Sequence, residues 1–258
     1  MVAIWFAIFS IPTFLFVNED HNTGKRKTDL MAASIKQIKE TFRNVRQYRE
    51  LTRFLIARLI YNDGLITVFA FGGIYAAGTF DFSFQEIMIF AIVLNVAAGL
   101  GAFLMGFLDD FIGGKQTIQI SNYGLILACI IAVVAPNRDL FNIALPIIGD
   151  TIISGKTLFW LSGILIGIFS GPNQASSRSL MARFVPQGKE NEFFGFFAFS
   201  GKATAFLGPF ILGYFTQLFN SQRYGIAVVL CLLVIGTFLL RIVDEEAGMA
   251  AAQSPDIT

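Results

Sequence analysis

Asp63 sits in the middle of an apolar run, FLIARLIYNDGLITVF over residues 54–69, with Arg58, Tyr61 and Asn62 beside it. Two other apolar stretches carry the amides Asn173 and Gln174 and a second cation, Lys202. An ionised side chain in nonpolar surroundings is costly unless it meets a countercharge, water or a ligand, and that cost makes such groups good carriers of a proton or a solute. The chemistry open to this set is therefore binding, ion pairing and proton exchange. Covalent catalysis lacks its parts: there is no HExxH, no GxSxG and no His/Cys cluster, and the sole histidine, His21, lies in a polar stretch. No catalytic residue, metal centre or cofactor is expected, and the chain does not read as an enzyme.

Two further motifs carry no chemistry. GDTIISGKT at 149–157 resembles a phosphate-binding loop, but five residues rather than four separate Gly149 from Gly155, and no strand precedes it. Cys129 and Cys231 each lie in an apolar run with no CxxC spacing, so they read as buried thiols.

The elements that position the polar set are membrane spans. Of 258 residues, 55% are hydrophobic and only 14% charged, with 29 Phe and mean hydropathy +0.64, well to the apolar side of soluble domains. A helix crossing about 30 Å of hydrocarbon needs roughly 20 mostly apolar residues. Seven such runs are expected, at 1–17, 51–77, 84–108, 117–136, 157–181, 192–218 and 222–241. The first reads as a short spanning helix rather than a cleaved leader, because it lacks a basic n-region and a small-residue cleavage site. LFNIALPIIGDTIIS at 140–154 is too short to cross and is interrupted by Pro146 and Gly149, so it is expected as a hairpin at one face.

Lys and Arg set the orientation. Nine fall between spans one and two, five more lie at later turns on the same side, and three (Arg138, Lys156 and Arg223) lie on the other. Fourteen against three places the start outside and the tail, 242–258, in the cytoplasm. The basic connection, 18–50, contains Met31, Ile35, Ile38, Phe42 and Val45 at spacings of four and three. It predicts an amphipathic helix, lying either on the inner leaflet or on the cytoplasmic ends of the bundle. The expected partners are thus a lipid bilayer and a small solute, with no nucleic acid.

Small residues at spacing four, Gly72, Gly73, Ala76 and Ala77 in span two and Ala98, Ala102 and Gly106 in span three, predict close helix packing. Gly208 with Pro209 predicts a kink in span six. GFLDDFIGGK at 106–115 fits G-x-x-x-D-x-x-G-x-[RK] through Gly106, Asp110, Gly113 and Lys115, where Asp110 and Lys115 offer a charge pair or a cap to a neighbouring helix end. Taken alone it is an ordinary turn between helices, but the pattern resembles the signature loop of the major facilitator superfamily. ARLIYNDGLITVFAFGGIYAAG, GPNQASSRSLMARFVP and ENEFFGFFAFSGKATAFLGPFILGYF resemble, more specifically, the C-terminal half of the major facilitator family that includes the fungal autophagy-linked vacuolar amino-acid effluxer and its bacterial relatives.

That resemblance implies an all-α polytopic bundle in which the seven spans correspond to helices six to twelve of a twelve-helix secondary transporter, moving a small solute, amino acids among the candidates, by alternating access. It implies that the N-terminal helical half is the missing partner, that 51–241 forms the six-helix C-terminal bundle in a bacterial inner membrane, and that Gly106, Asp110, Gly113 and Lys115 form a gating loop. The alternative is a half-size, non-transporting membrane module.

Depth then singles out a pathway. Counted from the cytoplasmic ends of their spans, Asp63 lies roughly 18 Å deep and Lys202 roughly 15 Å, with Asn173 and Gln174 at a similar level. Arg58 and Asn62, four apart, share a helix face, whereas Asp63 points about 140° away from Arg58 at 100° per residue. Asp63 therefore needs a partner on another helix, and Lys202 is the expected one, either locking the bundle or exchanging with substrate or proton. Arg58, Tyr61, Asn62, Asp63, Asn173, Gln174 and Lys202 form the candidate pathway. For Asn173, Gln174, Ser176 and Ser177 the alternative is simple hydrogen bonding between helices, and Arg178 and Arg183 are expected to snorkel to the inner face.

Overall fold

The computed structural model describes residues 48–136 and 154–253, together with Phe6, residues 9–11 and the backbone of 139, 140, 143 and 144. The chain divides into two units, 1–43 and 44–258. In the first, the described residues are helical, with Ser10 Oγ donating to the Phe6 carbonyl at 2.7 Å. The rest of the expected span 1–17 and of the amphipathic connection up to residue 47 lie outside the described residues.

The second unit is built from helices α1 (Arg49–Phe80), α2 (Phe84–Ile112), α3 (Gly114–Val134), α4 (Gly155–Phe184), α5 (Glu190–Ser200), α6 (Leu207–Phe219), α7 (Gln222–Arg241) and α8 (Glu245–Gln253). Two-residue strands β1 (Asp139–Leu140) and β2 (Ile143–Ala144) pair antiparallel between α3 and α4. The remainder of 140–153 lies outside the described residues. By length and apolar composition α1, α2, α3 and α7 can each cross a membrane. α4 has 30 residues, ample for crossing, but its second half is diluted by Asn173, Gln174, Ser176 and Ser177. The chain is an all-α polytopic membrane protein.

The α1–α2 and α2–α3 connections are short and chemically specified, so these neighbours run antiparallel. Asp81, in the left-handed region at φ 53°, ends α1 and returns its N–H to Ala76. Two residues later Ser83 caps α2 in a capping box, its Oγ taking the Glu86 N–H while Glu86 Oε2 takes the Ser83 N–H at 2.7 Å. Gly113 alone separates α2 from α3.

α4 is the axis, packed on α2 along one side and α3 along another, while α7 holds α1, α3 and α6. The α2 contact is a glycine ladder. Gly163, Gly167 and Gly171 face Phe90, Leu94 and Ala98, and a Cβ on Gly171 would stand 2.0 Å from the Ala98 carbonyl oxygen. Only glycine allows that approach, the usual device where helices meet without a hydrophobic drive between them. Ala98 and Ala102 do pack there, as expected, but Gly72 and Gly106 meet nothing within 4 Å. Gly106 is exposed on a face turned away from the bundle, because the buried stripe of α2 runs through Phe90, Leu94, Ala97 and Gly101, whereas Gly72 borders a cavity between α1 and α2.

The tail is helical over α8 and is fastened to the bundle, Asp244 N–H donating to Glu50 Oε2 at 2.8 Å. Span six is not a kinked continuous helix but two half-helices separated by non-helical residues 201–206. Pro209 has no N–H for the carbonyl of residue 205 and its ring crowds that carbonyl, which weakens the preceding turn, and the helix restarts with the proline inside the first turn of α6, although α4 runs continuously through its own Pro172.

Candidate functional site

The break in span six opens onto a cavity of about 780 Å³ bounded by α1, α4 and α5. α1 contributes Arg58 and Asn62, α4 contributes Gln174 and Arg178, and Lys202 enters from the break itself. Four apart on one helix face, Arg58 and Asn62 reach the same cavity, as do Gln174 and Arg178. Leu65, Ile66 and Phe69 continue the α1 wall as an apolar surface.

Arg58 is held in place. Its Nη1 donates to the Phe197 carbonyl at 2.9 Å and to Ser200 Oγ at 3.1 Å, and the guanidinium lies 3.6 Å above the Phe197 ring. Asn62 Nδ2 donates to the Gly201 carbonyl at 3.2 Å. The Phe197 carbonyl also accepts the Gly201 N–H at 3.2 Å and the Ser200 hydroxyl at 2.9 Å, so Arg58 adds a charged donor to the last turn of α5 while Asn62 engages the Gly201 carbonyl beyond it, and the polar face of α1 serves as the C-terminal cap of the first half-helix.

Asp63 is elsewhere. Its side chain is buried on the far side of α1 at 4% exposure, where Oδ2 accepts the Gly208 N–H at 2.9 Å. That N–H is one of the unpaired donors in the first turn of α6, so the carboxylate caps the second half-helix and sits at the positive end of its dipole. The expected Asp63–Lys202 ion pair does not form: among the described residues Asp63 makes no salt bridge, and Lys202 is exposed to the cavity. The expectation treated 192–218 as a continuous helix, whereas Lys202 lies in the non-helical turn and its direction is not set by helical phase. Asp63 Oδ1 has no hydrogen-bond partner among the described residues. Thr67 Oγ1, which donates to the Asp63 carbonyl at 2.7 Å, stands where a Cβ on Gly208 would come within 2.0 Å, so α6 can approach only through glycine.

Tyr61 and Asn173 are likewise outside the cavity. Ser177 Oγ lies 2.6 Å from the Asn173 carbonyl and 2.8 Å from Tyr61 Oη. Its single hydrogen serves that carbonyl, which makes Tyr61 the donor to Ser177. Asn173 Nδ2 then donates to Asn122 Oδ1 at 2.7 Å on α3. This is a dry polar seam joining α1, α4 and α3, and it matches the hydrogen-bonding alternative for Asn173 and Ser177, whereas Gln174 faces the cavity. Asn122 carried no sequence signal beyond being an amide in an apolar run.

At the α2–α3 loop the acid that engages the bundle is Asp109, not Asp110. Asp109 is buried and pairs with Arg183 at 3.6 Å, while Asp110 is exposed. Arg183 also pairs with Glu245 at 3.2 Å, and Glu245 accepts the Gly114 and Lys115 N–H groups at 3.1 Å each, capping α3. Lys115 Nζ donates to the Arg241 carbonyl at 3.2 Å at the end of α7. Arg183 thus ties the loop to α8 rather than snorkelling freely, and Gly106 stands apart from this cluster.

A helical membrane bundle with a broken helix beside a cavity lined by Arg58, Asn62, Gln174, Arg178 and Lys202 defines the class: a polytopic membrane protein. Residues 1–253 match the family described as "Vacuole effluxer Atg22 like", and the chain belongs to that family. It is 28% identical over 98% of its length to the uncharacterised MFS-type transporter YxiO of Bacillus subtilis, covering 54% of that protein. It is 26% identical to autophagy-related protein 22 of Cryptococcus neoformans over 96% of this chain and 44% of the relative, and 27% identical to autophagy-related protein 22 of Saccharomyces cerevisiae over 83% and 39%. The chain spans about half the length of the curated relatives it matches.

Proposed function

We propose that residues 49–253 form one of the two helical bodies of a secondary active transporter, and that a small solute passes by alternating access through the cavity of Arg58, Asn62, Gln174 and Lys202. The observation that carries this reading is the broken helix at the cavity, with each half-helix end capped by α1, since discontinuous helices at a midplane site are how such carriers build solute and ion sites. The second body corresponds to the other half of the relatives' length. Amino acids are the solutes suggested by the family resemblance. The excess of Lys and Arg in the connections supports a cytoplasmic position for the loop of Asp109 and Lys115, and in this reading Asp109, Arg183 and Glu245 act as a latch at the bundle's inner end.

Uptake into proteoliposomes tests the reading. Saturable, gradient-dependent flux of labelled leucine supports a carrier, unsaturable ohmic flux indicates a channel, and no flux in the presence of the second body indicates a non-transporting module. With Cys129 and Cys231 replaced, Gln174→Cys is expected to react with a membrane-impermeant maleimide and to be protected by transported solute.

A further inference from the structure

We propose that Asp63 is a proton-binding site that couples the carrier to a proton gradient, acting on the break in span six from the side of α1 opposite the solute cavity. The inference rests on the reading of this chain as half of a secondary transporter and names its coupling ion. Asp63 is buried within the body that this chain forms and does not line the open cavity. Its two oxygens differ. Oδ2 accepts the Gly208 N–H at 2.9 Å, whereas Oδ1 is sealed from solvent and meets no donor among the described residues. The Thr67 hydroxyl, one turn along the same face, gives its only hydrogen to the Asp63 carbonyl at 2.7 Å, so it does not serve Oδ1.

The charges around it are all committed elsewhere. At this level α6 and α7 pack on α1, Gly208 beside the Asp63 carbonyl and Leu233 beside Gly64. Their ionisable groups are Tyr214 and Cys231, both exposed, with Arg223, Tyr224 and Arg241 at the ends of α7. Lys202 in the break and Arg178 on α4 line the cavity, and on α1 itself Arg58 and Tyr61 are engaged with Phe197, Ser200 and Ser177 on other faces. Among the described residues none of these pairs with Asp63. A buried carboxylate without a cation is costly, and a proton on Oδ1 removes the charge while leaving the Oδ2 bond in place. The step balances: Oδ1 takes one proton from water on one side of the membrane and becomes a neutral acid, then returns it to water on the other side and becomes a carboxylate again. Protonation also replaces a charged acceptor by a neutral one at the Gly208 N–H, where a charge-assisted bond is roughly twice as strong, and withdraws the anion from the positive end of the α6 dipole. The hold on the second half-helix loosens, and with it the turn that carries Lys202 into the cavity.

The test uses the carrier complete with its second body in proteoliposomes, the membrane potential clamped at zero with potassium and valinomycin. At one proton per solute, a gradient of about one pH unit is expected to drive about tenfold accumulation of labelled leucine. Asp63→Asn is expected to abolish that accumulation, together with the proton uptake reported by a pH dye in the lumen. Counterflow of labelled against unlabelled leucine, which needs no net proton movement, is expected to persist in this variant. Accumulation equal to that of the unaltered carrier, or loss of accumulation and counterflow in the same proportion, reduces Asp63 to a helix cap. Flux that is indifferent to the pH gradient in the unaltered carrier overturns the proton assignment while the carrier stands, and absence of any flux overturns both. If Asp63→Asn fails to fold, the unaltered chain in nanodiscs decides. Dicyclohexylcarbodiimide, which adds to protonated carboxyl groups from the lipid phase, is expected to label Asp63 faster at acidic than at alkaline pH, and no label there at either pH overturns the assignment.

Discussion

Asp63 reaches across from α1 to accept the Gly208 N–H at 2.9 Å, so an acid deep in a membrane bundle caps the second half of a broken helix. Five positions earlier, Arg58 holds the end of the first half through the Phe197 carbonyl at 2.9 Å. One helix, α1, therefore fixes both ends of the break, a cation at the carbonyl end and an anion at the N–H end, each matched to the local dipole. The break is consequently a defined element of the fold rather than an unravelled stretch.

If the Asp63 charge serves the α6 terminus, its removal destabilises the bundle independently of Lys202. Asp63→Ala is expected to cost about 1.5–3 kcal/mol by loss of a charge-assisted bond and exposure of a buried donor, and Asp63→Asn less, because the amide oxygen still accepts. Lys202→Met is expected to leave thermal unfolding in detergent unchanged. Equal destabilisation by Lys202→Met would restore the ion-pair account.

The dry seam makes a separate prediction. Tyr61→Phe removes one hydrogen bond but leaves Ser177 bonded to the Asn173 carbonyl, so the expected cost is about 1 kcal/mol of stability. Solute affinity is expected to hold, because Tyr61 does not line the cavity. A large affinity change with normal stability would put Tyr61 in the pathway after all.

Arg183 carries two acids at once, Asp109 at 3.6 Å and Glu245 at 3.2 Å. Its side chain is one-third exposed, which discounts the pairs, so Arg183→Met is expected to cost about 1–2 kcal/mol and to speed proteolysis of α8. Adding Asp109→Asn is expected to recover part of the stability, since it removes a buried carboxylate left without its cation. An additive double mutant would show that the two residues are not coupled.

Much of this arrangement was legible in the sequence, and its failures have one physical origin. Helical phase alone separates Asp63 from Arg58 and Asn62, and the structure keeps that division: two face the cavity and one faces away. Phase fails where the helix does. Gly208 with Pro209 predicts a kink in span six, and because a proline disturbs the turn before it, the interruption falls at 201–206, where Lys202 leaves its expected direction. In the α2–α3 loop, pattern matching chose Asp110, whereas the buried stripe of α2 continues from Gly101 in steps of four to Asp109. The glycine ladder at Gly163, Gly167 and Gly171 is legible as spacing four in α4, though only the structure shows that it, and not Gly72, sets a close helix contact.

The ladder gives the sharpest contrast between glycines. A Cβ on Gly171 would meet the Ala98 carbonyl oxygen at 2.0 Å, and one on Gly101 the Ile168 carbonyl oxygen at the same distance. Backbone cannot step aside as a flexible side chain can, so α2 and α4 must separate along their length. Gly171→Ala is accordingly expected to destabilise by about 3 kcal/mol, at the upper end of overpacking costs. Gly72, with nothing within 4 Å of an added Cβ, lies inside the same kind of helix under no such constraint. There alanine removes the entropic penalty of a helical glycine, and Gly72→Ala is expected to stabilise by about 0.5–1 kcal/mol. Thermal unfolding of the two variants, measured side by side, checks the pair. Opposite signs place the close helix contact on the α4 ladder, and a destabilising Gly72→Ala would mean that this face of α1 is also closely packed.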